Sequence, residues 1–226
     1  MTDLRGRAND ERGAGLSRPG PLDVTTSFTT RAEDHMAALT AALSGLASEY
    51  DRLGRWGHEL VQRLTTGSRL LVAGNGGSAA QAQHLTAELV GRYRGERRPL
   101  SALALHAETS TVTAVVNDYG ADAVFSRQVE AHGRQGDVLL LLSTSGRSTN
   151  LLEAARAARR GRLLTWAITG RGPNPLAGAA HEAICVPSAD TAAIQEVHQV
   201  VIHLLCEAVD ELLVVDPELA IAGVRE

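Results

Sequence analysis

Residues 69–93 read RLLVAGNGGSAAQAQHLTAELVGRY, and this stretch decides the class of fold. Its apolar start, residues 70–73, predicts a buried strand, and residues 78–93 predict a helix. Between them lies a glycine-rich turn, Gly74-Asn75-Gly76-Gly77, in which glycine permits a positive φ and a close approach of backbone N–H groups to a ligand. We expect Ser78 to cap the helix. The start of this helix is therefore a candidate anion site.

The same helix carries His84 and Glu88, which are four residues apart in the chain. Side chains at this spacing point from one face of a helix. The pair could act in acid–base chemistry or as metal ligands, one to two turns beyond the glycine turn.

Composition narrows the function classes. The chain has 226 residues, of which 44% are hydrophobic, and this suits one domain with a sizeable core. The formal net charge is −4 and no basic tract stands out, which argues against non-specific binding of nucleic acid. Aromatic residues make up only 3%, so stacking platforms for single strands are not expected.

The chain contains two cysteines, Cys185 and Cys206, whose spacing matches no zinc or redox motif. We interpret them as small apolar side chains in a reducing compartment rather than as a disulfide. No apolar run is long enough to span a bilayer, and the N-terminal residues do not resemble a secretory signal. A cytoplasmic protein without membrane or nucleic-acid partners is expected.

The chain is predicted to contain a disordered leader, residues 1–27, and a single domain, residues 28–226. Residues 34–64 have apolar side chains at helical spacing and predict one long helix or two consecutive helices. Strands are then predicted at 69–73, 100–105, 137–142, 163–169 and 183–186. Helices are predicted at 78–93, 107–116, 121–132, 148–160 and 191–213. This alternation of apolar strands and helices indicates an α/β fold with a parallel sheet covered on both faces.

In such sheets, ligands bind beyond the carboxyl ends of the strands. After the predicted strand 137–142 comes a cluster of hydroxyl side chains: Ser143, Thr144, Ser145 and Ser148. Hydroxyls and free N–H groups at a helix start suit a phosphate group. The alternative is simple capping of the helix by Ser145 or Ser148. Four hydroxyls within six residues favour the phosphate site.

Two further segments could contribute residues to a ligand or metal site. Asn117 and Asp118 could serve equally as turn residues or as ligands of sugar hydroxyls. The predicted last helix carries Gln195, His198 and His203. Gln195 and His203 are separated by about 12 Å along an ideal helix, so their spacing alone does not establish a joint metal site.

Together these segments resemble the SIS (sugar isomerase) family and, within it, the phosphoheptose isomerases. The matching segments are GNGGSAAQAQHLTAELVGRY, VVNDYG, GDVLLLLSTSGRS and IQEVHQVVIH, in this order over roughly residues 35–213. The resemblance implies a three-layer, flavodoxin-like parallel sheet flanked by helices, with an N-terminal helical extension. Ala192 and Ala193 stand where some members carry Asp and Arg, so no acidic contact or ion pair is expected there.

The resemblance also implies roles for individual residues. Glu88 and His203 match the catalytic positions, and His84, Glu88, Gln195 and His203 match the ligands of a zinc ion, one per subunit. The implied substrate-binding residues are Asn75, Gly76, Gly77, Glu88, Asn117, Asp118, Ser143, Thr144, Ser145, Ser148 and Gln195. Zinc-using members assemble as homotetramers with sites between subunits.

The implied activity is that of an aldose–ketose isomerase. It would convert the sugar phosphate sedoheptulose 7-phosphate to D-glycero-D-manno-heptose 7-phosphate through an enediol. Alternatives remain: a non-catalytic SIS protein that binds sugar phosphates or associates with a replication initiator, or another phosphosugar isomerase or deaminating enzyme. As we understand the initiator-binding relative, it lacks the catalytic Glu and the final His, whereas this chain has both Glu88 and His203. The presence of a single SIS unit argues against the tandem glucosamine-6-phosphate synthase type.

Overall fold

Five parallel strands form the centre of the fold in a computed structural model, which describes residues 24–215. They are β1 Leu70–Gly74, β2 Ala102–Ala104, β3 Val138–Ser143, β4 Leu164–Thr169 and β5 Glu182–Cys185. Their order in the sheet is β2-β1-β3-β4-β5, and every neighbouring pair is parallel. β1 and β3 are buried along their whole length, as expected for strands covered on both faces. The predicted fold class is confirmed.

Eight α-helices accompany the sheet in the described part of the chain. They are α1 Val24–Gly45, α2 Tyr50–Thr65, α3 Gly77–Val90, α4 Thr109–Tyr119, α5 Ser126–His132, α6 Thr149–Arg160, α7 Pro175–Ala179 and α8 Thr191–Val215. Short 3-10 helices occupy Leu46–Glu49 and Ala121–Ala123. No helix within residues 24–215 is both long and apolar enough to cross a membrane.

The alternation of side chains along each strand divides the core into two layers. Val72, Leu140 and Trp166 face a cluster that includes residues of α2, α3 and α8. Their neighbours in the strands, such as Leu71 and Leu139, face the other layer, which includes residues of α5 and α6. In the first layer the rings of Trp56 and Trp166 stack with their centroids 4.5 Å apart. Such a pair contributes about 0.5–1.5 kcal/mol beyond the area that it buries.

Contacts divide the chain into two compact units, Met1–Asp34 and His35–Glu226. Within the first unit, the described residues belong to α1. The predicted leader, residues 1–27, lies outside the described residues except for its last four, which are helical. The second unit contains the sheet and the helices from α2 to α8.

Several predicted elements differ in their bounds. The helical segment 34–64 is indeed two helices joined by a 3-10 turn, but it begins at Val24. The predicted helix 121–132 is a 3-10 turn followed by α5, and α7 was not predicted. α4 begins at Thr109 because the Glu108 carboxylate accepts bonds from the first backbone N–H groups of the helix.

The connections of the strands place a crevice at one edge of the sheet. From β1 the chain passes to β2 on one side, whereas β3 lies on the other side and leads to β4 and β5. Helices that follow β1 and β3 therefore diverge where these two strands end. Ligands in open α/β sheets bind at such a switch point, beyond the carboxyl ends of the strands.

Candidate functional site

The glycine turn after β1 is shaped by close contacts. Gly76 has φ +54°, a conformation that favours glycine. A Cβ atom on Gly77 would lie 2.7 Å from Nε2 of Gln195, so any other residue there would displace the Gln195 side chain from its present position. The prediction that Ser78 caps α3 is wrong. Gly76 occupies the N-cap without a side-chain bond, and Ser78 lies one residue inside the helix and is buried.

Asn75 ties the glycine turn to the start of α6. Its amide donates to Oδ1 of Asn150 at 3.0 Å, and the amide of Asn150 donates to Oδ1 of Asn75 at 3.0 Å. The loops that follow β1 and β3 are thus joined across the switch point. Sequence reasoning missed Asn150, whose only signal is its place two residues after Ser148.

The serine loop, residues 143–148, uses two of its predicted hydroxyls internally and leaves two, those of Thr144 and Ser148, without a hydrogen bond within the described chain. Oγ of Ser143 accepts from the Gly146 backbone N–H at 3.1 Å, and Oγ of Ser145 accepts from the Arg147 N–H at 3.2 Å. Ser148 is the N-cap of α6 but makes no side-chain capping bond. Simple capping therefore does not explain Ser148, and its hydroxyl is available to a ligand.

His84, Glu88 and His203 meet where α3 packs on α8. Nε2 of His84 is 3.1 Å from Nε2 of His203 and 3.3 Å from Oε1 of Glu88. The Glu88 side chain is 21% exposed and that of His84 is 41% exposed. Three of the four predicted metal and catalytic residues are therefore brought together in a partly open position.

Two neighbours of His203 were not predicted. Nε2 of Gln199 lies 3.1 Å from Nε2 of His203, and the Tyr93 ring is centred 5.6 Å from the imidazole. Gln199 precedes His203 by one helical turn, and this spacing was the available signal. Both residues restrict the orientation of the His203 ring.

Gln195 lies apart from the histidines. Its side chain packs against Gly77, and its backbone carbonyl accepts a bond from Nε2 of Gln81 at 2.6 Å. Among residues 24–215, the hydrogen bonds and ring contacts of His84 and His203 do not include Gln195. The Gln195 side chain therefore borders the glycine turn, whereas His203 stands about two turns further along α8.

Arg97 stabilises the C-terminal end of α3, which carries Glu88. Its guanidinium donates to the carbonyls of Glu88 and Leu89 at 2.6 and 2.9 Å and to Oδ1 of Asp210 at 2.8 Å. The Arg97 side chain is only 5% exposed. Carbonyl groups at the end of a helix have no partner within the helix, so Arg97 supplies one and links α3 to α8. No sequence pattern indicated this role.

Asn117 and Asp118 lie in the last turn of α4, not in a loop between elements. Their side chains bond to each other, with Nδ2 of Asn117 donating to Oδ1 of Asp118 at 2.7 Å. Both residues are exposed, and α4 has no buried residue. Their side-chain hydrogen bond does not join them to the other predicted site residues of the described chain.

The side chains of His84, Glu88 and His203 are candidate ligands of a metal ion. Across residues 24–215, no group of three or more His, Cys, Asp or Glu side chains is already arranged as a metal site. The pairwise distances at His84 are nonetheless 3.1 and 3.3 Å, close to the ligand–ligand separation of about 3.3 Å in a tetrahedral zinc site. Two imidazoles and a carboxylate are donors that zinc prefers. His84, Glu88 and His203 therefore suit zinc in donor type and in two of their separations, whereas Gln195 lies at the glycine turn and does not join them in the described structure.

Burial sets the protonation of two groups on α8. The His198 side chain is fully buried, and burial lowers its pKa to about 4, so it is neutral at pH 7. Neither ring nitrogen makes a hydrogen bond of normal geometry in the described structure, although the Thr169 backbone lies near enough to oppose the fall in the pKa in part. Burial, with the nearby Glu88 charge as a smaller cause, raises the pKa of the Cys206 thiol to about 12. Cys206 is therefore an inert core residue rather than a nucleophile.

Comparison with known proteins gives consistent results. A sequence model of the SIS domain family matches residues 34–170. A phosphoheptose isomerase of Streptomyces coelicolor is 58% identical over 179 residues, which are 79% of this chain and 78% of that protein. A solved phosphoheptose isomerase of Neisseria gonorrhoeae has 37% identity and a TM-score of 0.74, covering 83% of this chain and 99% of that chain. A solved phosphoheptose isomerase of Francisella tularensis has 33% identity and a TM-score of 0.75, covering 83% of this chain and 98% of that chain.

Proposed function

This chain belongs to the SIS domain family and, within it, to the phosphoheptose isomerases, and on that premise we propose that it is an aldose–ketose isomerase. It converts sedoheptulose 7-phosphate to D-glycero-D-manno-heptose 7-phosphate. The observation that carries this proposal is the meeting of His84, Glu88 and His203 on helices that start at the carboxyl edge of the sheet.

The serine loop is the proposed phosphate anchor. Ser148 presents a hydroxyl that makes no capping bond, at the N-terminus of the twelve-residue helix α6. The first N–H groups of a helix and its dipole favour an anion at this point. Binding energy from the remote phosphate then positions the reacting carbon atoms. Asn75, Gly76 and Gly77 would border the sugar.

Isomerisation requires two proton transfers. One moves a proton between C1 and C2, and Glu88 is the proposed base because it is partly buried and borders the open side of the α3–α8 contact. The other moves a proton between O1 and O2, for which we propose His203, since an imidazole can accept and donate near neutral pH. Gln199 and Tyr93 would keep the His203 ring in place during the exchange.

A zinc ion is part of the proposal. His84, Glu88 and His203 would hold it, and Gln195, the fourth ligand implied by the family resemblance, would have to turn its side chain from Gly77 towards His203 to reach it. When bound, such an ion polarises a carbonyl group and stabilises negative charge on the adjacent oxygens. His84, which contacts both other residues, would then be the central ligand.

We further propose a cytoplasmic homotetramer with sites between subunits. Support comes from α4, which buries none of its residues and exposes Val116 and Tyr119, at 43% and 57%. A helix with an exposed apolar face is suited to contact with a second copy. Such contact would also bring Asn117 and Asp118 towards the active site of a neighbouring subunit.

The decisive experiment is incubation of the purified protein with sedoheptulose 7-phosphate, with and without a chelator, followed by NMR of the product. We expect an aldoheptose phosphate to form, and chelation to reduce the rate. Failure to convert the substrate with any divalent metal would favour the non-catalytic, sugar-phosphate-binding alternative.

A further inference from the structure

A polar cavity lies at the amino edge of the sheet, opposite the crevice beyond the carboxyl ends of β1 and β3. It has a volume of about 470 Å³ and is lined by the end of α2, the turn before β3, the end of α6 and the starts of β4 and β5. Its volume falls within the range of small-molecule sites, about 300–1,000 Å³. We call it the amino-edge cavity. The residues assigned to the isomerase site do not line it.

Three guanidinium groups line this cavity: Arg63, Arg159 and Arg162. Arg63 is engaged, because it pairs with Glu59 and donates to the Gly136 carbonyl at 2.7 Å. The side chains of Arg159 and Arg162 have no hydrogen-bond or ion-pair partner among residues 24–215. The cavity therefore carries positive charge that the protein does not neutralise.

The backbone conformation of Arg162 and a hydrogen bond of the His181 ring bear on the donor groups that line this cavity. Arg162 has φ +58° and is the one non-glycine residue of the described chain with positive φ. An arginine in this conformation costs stability that a glycine would not. At His181, Nδ1 accepts the Thr165 backbone N–H at 2.9 Å. A neutral His181 therefore carries its proton on Nε2 and is a donor there.

The neighbouring carboxylates are already paired. Glu130 bonds to Arg160, and Glu182 lies near Arg52 and Arg55. Asp137 is buried and accepts from the backbone N–H groups of Arg69 and Arg134. None of these acids lines the cavity. Its lining thus offers mainly donors to a ligand, although the formal charge of the whole chain is −4.

We propose that the amino-edge cavity binds a small molecule that carries a diphosphate or triphosphate group. A guanidinium binds phosphate oxygens in a bidentate manner, and three of them around one cavity suit more than one phosphate group. The apolar side of the cavity, Leu163 and Leu164, leaves room for an organic part of the ligand. The negative overall charge and the limited volume argue against a nucleic acid.

The test is calorimetric titration of the full chain with orthophosphate, pyrophosphate and ADP in magnesium-free buffer. We expect pyrophosphate to bind at least about tenfold more tightly than orthophosphate, because a second charged group is engaged. Tighter binding of ADP than of pyrophosphate identifies a nucleotide as the ligand class. Equal binding identifies the diphosphate group alone, and either result supports the site.

Matched variants locate the binding. Arg159→Ala and Arg162→Gly should each weaken pyrophosphate binding about tenfold. Arg160→Ala removes an adjacent charge that is paired with Glu130 and should change binding less than twofold. Ser148→Ala alters the phosphate anchor of the isomerase site, so it should leave unchanged only the part of pyrophosphate binding that Arg159→Ala weakens. The proposal is overturned if none of the probes binds at millimolar concentration, if Arg160→Ala weakens binding as much as Arg159→Ala, or if Ser148→Ala abolishes it.

Discussion

The carboxyl and amino edges of the sheet both present polar side chains, but they hold them differently. At the carboxyl edge, Asn75 bonds to Asn150, and His84 contacts both Glu88 and His203. At the amino edge, Arg159 and Arg162 are exposed and unpaired within the described chain, as Arg147 and Arg171 are at the carboxyl edge, but no contacting pair of acid–base side chains accompanies them in the lining of the amino-edge cavity. Proton transfer requires groups fixed in relation to each other, whereas binding of a polyanion requires mainly uncompensated charge. The difference indicates chemistry at one edge and binding alone at the other.

The largest effect is expected from Glu88→Gln, which keeps the shape of the side chain but removes its ability to accept a proton. We expect kcat to fall about 10³-fold, a typical contribution of a general base. KM should change little, because Ser148 and the N-terminus of α6 still anchor the phosphate. Steady-state kinetics with sedoheptulose 7-phosphate gives both values.

Glu153→Gln is the matched control for this change. Glu153 pairs with Arg156 on the surface of α6, so its neutralisation should leave kcat within twofold of the wild-type value. Wild-type turnover in Glu88→Gln would refute the assignment of the base. Loss of pyrophosphate binding in Glu88→Gln would show that the two edges are not separate.

The next effect concerns pH and arises from His198. Burial lowers the pKa of His198 from its ordinary value of 6.5 to about 4 in the folded protein, so between these two pH values the unfolded chain binds more protons. The contribution of His198 to the free energy of unfolding is therefore fully present above about pH 6.5 and is lost progressively as the pH falls towards 4. The total loss is about 3 kcal/mol. Urea denaturation at several pH values measures it.

A His198→Met variant should show a weaker acid dependence, because the proton uptake of the unfolded state at this residue is removed. The exposed His58 provides the control, and His58→Gln should retain the wild-type dependence. If the free energy of unfolding of His198→Met depended on pH as steeply as that of the wild type, other groups would cause the acid sensitivity.

A smaller effect is expected at the serine loop. Ser148→Ala should raise KM about tenfold with little change in kcat, because one hydrogen bond to a charged phosphate is lost. The melting temperature should stay constant, since Ser148 makes no capping bond. Ser143→Ala should instead lower the melting temperature, because its Oγ accepts the Gly146 N–H. If Ser143→Ala raised KM and Ser148→Ala lowered the melting temperature, the Ser143 hydroxyl would be the one that binds phosphate and the Ser148 hydroxyl the structural one.

Much of the carboxyl edge could be predicted because its signals are local. The apolar strands, the glycine turn and the spacing of His84 and Glu88 depend on residues close in the chain. The meeting of His203 with His84 joins residues 119 positions apart, and the resemblance to a family supplied it. The capping prediction for Ser78 failed because Gly76, with φ +54°, turns the chain into the helix two residues earlier and leaves Ser78 inside its first turn.

The amino-edge cavity could not be predicted, because it is formed by residues that are far apart in the chain. Arg159 and Arg162 are neighbours at the end of α6, but Arg63 comes from α2, and each taken alone is an ordinary surface arginine. Arg97 is a similar case, since its partners Glu88 and Asp210 belong to two helices. Sequence periodicity reports which face of an element is buried, but not which charges from different elements converge.

The smallest effect on activity is expected from Arg162→Gly, which alters the amino edge alone. Because Arg162 has φ +58°, glycine removes a strain of about 1 kcal/mol, partly offset by the greater entropy of the unfolded glycine chain. Arg162→Ala removes the same charge but keeps the strain. Arg162→Gly should therefore melt at the higher temperature of the two, while kcat/KM stays within twofold of wild type in both. A fall in kcat/KM shared by both variants would mean that the charge at Arg162 acts on the distant catalytic residues, and the separation between the two edges would then fail.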